Sequence, residues 1–172
     1  MVGDLTERIQ SAQNKFEELV SRVPGYAGYK KKEQRREADK LLRLYVARQY
    51  EEQLRRLGEI QYALTSKGRL ASIITLERAA TKLQLLIDRL KGASYGYGGL
   101  FDALKVDEET LDKLYEFDKA MLDGVGRVAA LLDKLAEAAQ VEAPTAAEAN
   151  DLIGELEALN TAFSRRQDIL IE

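Results

Sequence analysis

The stretch KKKEQRREADKLLRLYVARQYEEQLRRLGEIQYALTS, residues 30–66, decides the fold class of this chain. It contains no proline and a single glycine, Gly58, and its apolar side chains recur three and four residues apart, the period of an α-helix. As a helix it would reach about 55 Å at 1.5 Å per residue. The apolar positions form a band broad enough to pack on more than one neighbour: Leu41, Leu42, Tyr45, Val46, Tyr50, Leu54, Leu57, Ile60 and Leu64.

Four further segments carry the same period: residues 4–23, residues 69–91, a helix beginning at Asp107 and a helix beginning at Thr145. Thr145 and Glu148 form a Thr-x-x-Glu capping box, and residues 141–144 are the linker before it. No stretch alternates as a strand would. We therefore predict an all-α fold, an antiparallel up-down bundle of four to five helices with long coiled-coil-like helices, forming a single domain over residues 1–172.

Short connections lead us to expect that sequential helices are antiparallel neighbours. The residues at the middle of each apolar stripe are expected to share one core: Leu57, Leu83, Val128, Leu132 and Leu159.

The composition removes several classes of function. The 172 residues include no Cys and no His, which excludes thiol nucleophiles, Ser-His-Asp triads and the usual zinc and haem sites. The Glu-x-x-His motif that holds two metal ions inside four-helix bundles is absent for the same reason. We expect no metal, no cofactor and no small-molecule substrate. An enzyme that uses Tyr, Lys and Asp or Glu stays a third hypothesis, although no spacing selects such a site.

The segment that begins at Asp107 departs from a plain apolar seam in two ways. Asp118 occupies a position in the apolar stripe of this helix. It is either buried and paired with a basic residue, with Arg43 the first candidate and Lys82 the second, or it lies at the edge of the stripe in contact with water. Gly124 and Gly126 stand in the middle of the helix, where each costs about 1 kcal/mol relative to Ala. Such a pair more often marks a kink or a close helix crossing than a binding site.

Charge is divided unevenly along the chain. Residues 30–56 hold 10 basic and 5 acidic side chains, whereas residues 100–172 hold 7 basic and 17 acidic ones. Opposite charges of this kind attract each other within one bundle or between two copies.

A basic cluster and two aromatic loops form the candidate binding patch. Five basic residues open the long helix, although a helix N-terminus prefers acids. The loops 24–29 and 94–101 are rich in Gly and Tyr, and in an up-down bundle they lie at the same end. The rings then either bind a partner or fold down to cap the core. The candidate residues are Tyr26, Tyr29, Lys30, Lys31, Lys32, Arg35, Arg36, Tyr95, Tyr97 and Phe101.

The leading hypothesis is a non-enzymatic interaction or scaffold protein that binds a protein partner or itself. The alternative is an anion-binding module that uses the basic, Tyr/Gly-rich end on an acidic membrane surface, nucleic acid or polyphosphate. The polar N-terminal residues and the lack of a long apolar stretch lead us to expect a cytoplasmic protein with no transmembrane segment.

Overall fold

The computed structural model describes Arg22, residues 32–92 and residues 108–169, with side chains for Arg22, residues 41–92 and residues 116–165. Its helices are α1 (Lys32–Ser66), α2 (Ile73–Gly92), α3 (Glu108–Gln140) and α4 (Ala146–Ile169). With 35 residues, α1 is the longest of these four. No strand occurs in the ranges 32–92 and 108–169, which confirms the all-α helical bundle. Apart from Arg22, the predicted helix over 4–23 lies outside the described residues.

Gly68 reverses the chain between α1 and α2. Its φ of +70° lies in the left-handed region that favours glycine. The N–H of Gly68 bonds to the carbonyl of Thr65 and the N–H of Arg69 to that of Leu64, both at 2.9 Å, which is the Schellman pattern of a helix end. A 3-10 turn, Leu70–Ser72, then precedes α2. The α-helix therefore begins at Ile73 and not at the predicted Arg69, because the reversal occupies the residues between.

Consecutive helices within each half of the chain run in opposite directions, as the up-down prediction requires. Arg43, early in α1, donates from Nη1 to the carbonyl oxygen of Leu90, late in α2, at 3.3 Å. Arg127 on α3 pairs with Glu155 on α4 at 2.8 Å. The α1–α2 pair and the α3–α4 pair are thus two antiparallel hairpins.

The two hairpins lie side by side in the same sense. Three contacts in ascending order show that α1 and α3 run parallel: Tyr50 with Met121, Arg56 with Asp133, and Arg69 with Ala139. Three more show the same for α2 and α4: Ser72 with Thr145, Lys82 with Glu157, and Arg89 with Ser164. Around the bundle the order is α1, α2, α4, α3.

This order corrects one expectation. The sequential helices α2 and α3 lie on a diagonal of the bundle and are not neighbours. The connection between them, residues 93–107, is long enough to reach across, whereas the turns after α1 and α3 are too short to do so.

All four helices contribute to one hydrophobic core. The five residues predicted to share it are each at most 2% exposed and belong to a single cluster: Leu57, Leu83, Val128, Leu132 and Leu159. The prediction of the core is therefore confirmed, and the apolar stripes face one another within the monomer.

Candidate functional site

The aromatic and basic patch lies almost entirely outside the described residues. Lys32, Arg35 and Arg36 belong to the first turns of α1, where the structure describes the backbone but not the side chains. The other seven candidates lie outside the described ranges: Tyr26, Tyr29, Lys30, Lys31, Tyr95, Tyr97 and Phe101. The antiparallel packing of α1 on α2 does place the start of α1 and Gly92 toward the same end of the bundle.

Asp118 and Arg43 lie in the interior at that end. Their exposed fractions are 7% and 5%, so the predicted burial of Asp118 is confirmed. Both line one cavity of about 10 Å³ together with apolar residues of all four helices: Leu42, Val46, Leu90, Met121 and Phe163. A space of this size accommodates about one water molecule. The direct Arg43–Asp118 ion pair stays a prediction, and Lys82, the second predicted partner, pairs with Glu157 at 2.8 Å.

Tyr50 is a polar anchor that the sequence analysis did not single out. The side chain is fully buried, and its hydroxyl donates to the carbonyl oxygen of Met121 at 2.7 Å. Burial raises the pKa of Tyr50 well above its usual range, an effect that the nearby Arg127 only partly offsets. The phenol therefore acts as a hydrogen-bond donor that links α1 to α3, and it is not poised to act as a base at neutral pH.

Gly124 explains how Tyr50 fits. A Cβ atom at Gly124 would lie 2.5 Å from the Tyr50 hydroxyl oxygen and 2.5 Å from Cδ2 of Leu159. At Gly126, two residues along the same helix, a Cβ atom would meet nothing within 4 Å. Of this pair of glycines, the expected close helix crossing is therefore present at Gly124 alone.

Two basic side chains join the α1–α2 turn to the end of α3. Lys67 and Arg69 donate to the carbonyl oxygen of Ala139 at 3.4 and 3.2 Å, and Arg69 also donates to that of Ala143. The last carbonyls of a helix have no partner within it and carry partial negative charge, so cations stabilise them. The last turn of α3 itself contains no basic residue.

The surface feature that stands out is the side of α2 that faces away from the bundle. Ile74 is 72% exposed and Leu85 is 50% exposed, and Leu70 in the preceding turn is 61% exposed. We call the following residues the outer face of α2, because their spacing of four and three keeps them on one side of the helix: Ile74, Arg78, Thr81, Leu85 and Asp88. All five are exposed to solvent.

The described part of the chain contains neither a metal-binding cluster nor a membrane-spanning helix. Within residues 32–92 and 108–169, no three or more carboxylates come together in a way that could hold a metal ion. None of the four helices is both long and apolar enough for a bilayer. Comparisons of the chain with protein-family models, with curated proteins and with solved structures gave no match.

Proposed function

We propose that this protein is a helical-bundle interaction or scaffold module that associates with a second copy of itself and does not act as an enzyme. The observation that carries the proposal is the outer face of α2, where Ile74 and Leu85 are exposed although the helix already buries a complete apolar face in the core. Large apolar side chains grouped on one side of a surface helix are typical of protein–protein contacts.

The charge distribution supports an association that depends on salt. Part of the contrast between residues 30–56 and 100–172 is satisfied inside the monomer, because α1 lies beside α3 and Arg56 pairs with Asp133. The remaining exposed charges are available to a second copy. Attraction between charges on two protein surfaces weakens as ionic strength rises, since mobile ions screen it within about 10 Å at 0.1 M salt.

Light scattering of the purified protein over a range of concentrations, at low and at high salt, tests the proposal. We expect the mean mass to rise with concentration at low salt and to fall back toward the monomer mass of 19.3 kDa at high salt. A mass that stays at the monomer value at every concentration and both salt levels would contradict self-association.

An anion-binding module is the second candidate, and one observation favours it. The start of α1 and the end of α2 face the same end of the bundle, so the basic cluster and the second Tyr/Gly-rich segment connect to neighbouring helix ends. Flotation with vesicles of phosphatidylserine, compared with vesicles of phosphatidylcholine, measures this activity. Salt-sensitive binding to the anionic vesicles alone, lost when Lys30, Lys31 and Lys32 are changed to Gln, would support the module.

A further inference from the structure

We propose that the outer face of α2 packs antiparallel against the same face of a second copy, with Arg78 of each chain opposite Asp88 of the partner subunit. This inference rests on the proposed self-association and names the surface and register that carry it. The occupant is a second copy of this chain, because Arg78 and Asp88 of this face meet opposite charges only when the face packs against itself in reverse.

The face follows the heptad spacing of a coiled-coil seam, with two apolar residues, Ile74 and Leu85, among its six positions. Arg78, Leu85 and Gly92 are seven residues apart and take the a positions, while Ile74, Thr81 and Asp88 take the d positions of the same heptads. In an antiparallel pair each a residue packs beside a d residue of the other helix. An isologous contact makes every such pairing occur twice.

A single alignment of the two helices places each a position of the face opposite a d position of the other copy. When Arg78 lies opposite the partner's Asp88, Leu85 lies opposite the partner's Thr81. Ile74 then lies opposite the partner's Gly92, where the missing side chain leaves room for the most exposed apolar residue of the face. The two-fold axis crosses α2 level with Leu83, near the middle of the helix.

The charges exclude the parallel alternative. In a parallel symmetric pair, each residue of the seam lies beside its own copy, which would place Arg78 against Arg78 and Asp88 against Asp88. Like charges placed together are unfavourable, so the charges choose the antiparallel orientation. Both side chains are available for this role: Arg78 is exposed and makes no ion pair in the described part of the chain, and Asp88 is exposed and accepts one bond, from Gln84 at 2.8 Å.

The contact is small, and this sets its strength. Stable dimers bury about 1,200–2,000 Å² in total, with about 20–30 residues on each side. A single helix face provides fewer residues than that, so we expect a weak dimer in exchange with the monomer. The charged pairs then set orientation and salt dependence more than affinity.

Charge reversal tests the register. We expect Arg78→Glu and Asp88→Arg, each alone, to raise the dimer Kd at low salt by at least about ten-fold, because each places two like-charged pairs in the interface. We expect an equimolar mixture of the two variants to restore dimerisation. In the mixed dimer the glutamate introduced at position 78 of one chain lies opposite the arginine introduced at position 88 of the other, and the native Asp88 lies opposite the native Arg78. The double variant restores it in the same way. Arg48→Glu, the same change of charge as Arg78→Glu at an exposed position on α1, serves as the control and leaves the Kd near that of the wild type.

Sedimentation velocity measures these species, and circular dichroism confirms that each variant is folded. If the wild type dimerises but the single reversals behave as Arg48→Glu does, the outer face of α2 is not the interface, while self-association itself stands. If the wild type associates better with the double variant than with itself, the pairing is parallel and the proposed register is wrong, because only a parallel pair then places opposite charges together at positions 78 and 88. If the wild type does not associate at all, both the register and the proposed function fail.

Discussion

The inner and outer faces of α2 both carry large apolar side chains, but only those of the inner face are buried. The inner face is a continuous apolar stripe, with Leu76, Leu83 and Leu86 fully buried. The outer face combines two apolar side chains with polar and charged ones, and Ile74 and Leu85 remain exposed. The inner face therefore stabilises the monomer, whereas the apolar area of the outer face is still available for binding. For one residue type, the effect of a substitution on stability therefore depends on the face that the residue occupies.

Arginine gives the largest expected contrast between interior and surface. Arg43 and Asp118 are both buried and line one cavity; if they pair as the sequence predicts, Arg43→Met strands a buried carboxylate and should cost about 3–5 kcal/mol of unfolding free energy. Arg78→Met removes an exposed charge and should stay within about 0.5 kcal/mol. Urea denaturation at low protein concentration measures both.

A double-mutant cycle sharpens this contrast. If Arg43 and Asp118 pair as the sequence predicts, adding Asp118→Leu to Arg43→Met should recover much of the lost stability, because no buried charge is then left unpaired. Additive losses would show that the two residues do not depend on each other.

Leucine gives the second contrast, within one helix. Leu83→Ala leaves a cavity in the core and should lower the unfolding free energy by about 2–5 kcal/mol. Leu85→Ala, two residues away on the outer face, should change it by no more than about 0.5 kcal/mol. Similar losses for both substitutions, measured by urea denaturation of the dilute protein, would mean that Leu85 is buried.

Glycine gives the third contrast, on α3. Gly124→Ala forces a methyl group against Tyr50 and Leu159 and should destabilise by about 1–3 kcal/mol, despite the better helix propensity of Ala. Gly126→Ala meets open space and should stabilise by up to about 1 kcal/mol. Thermal unfolding followed by circular dichroism should therefore move in opposite directions for the two variants, and a shift of equal sign would contradict the close crossing.

Tyr50 gives the smallest expected effect and a pH signature. Tyr50→Phe removes the bond to Met121 and should cost about 1 kcal/mol at neutral pH. Burial raises the pKa of Tyr50 above that of the unfolded chain. The protonated side chain therefore makes its full contribution to the free energy of unfolding below the unfolded-state pKa of about 10, and this contribution is lost as the pH rises above that value. The stability difference between wild type and variant should shrink in alkaline solution, and a difference that grows instead would show the opposite shift.

The sequence predicted the parts of this fold that depend on local pattern. The helices, the great length of α1 and the core residues Leu57, Leu83 and Val128 follow from a period of three and four, which one chain displays by itself. The diagonal position of α2 and α3 does not, because it depends on which faces pack together and on where a long connection leads.

The interior polar contacts were only partly predictable. Asp118 was found because an acid interrupts an apolar seam, whereas Tyr50 was hidden in an apolar band to which its ring belongs. Lys67 and Arg69 act on a helix about 70 residues further along the chain, so no local pattern reveals them. The outer face of α2 was overlooked since its heptads contain charges at positions where a fold-forming stripe would carry apolar side chains.

Disulfide trapping of the α2 pair tests the central claim most directly, because the chain contains no Cys and each introduced thiol is unique. Thr81→Cys and Leu85→Cys proteins are mixed in equal amounts and oxidised mildly, with Arg48→Cys as the control for random collisions. The antiparallel register places residue 81 opposite residue 85 of the other copy, within reach of a disulfide, and separates each residue from its own copy by about one helical turn. We expect the mixed 81–85 disulfide to dominate over both homodimers. Cross-linking of Thr81→Cys mainly to itself, or no more mixed product than Arg48→Cys gives, would contradict the antiparallel α2 interface.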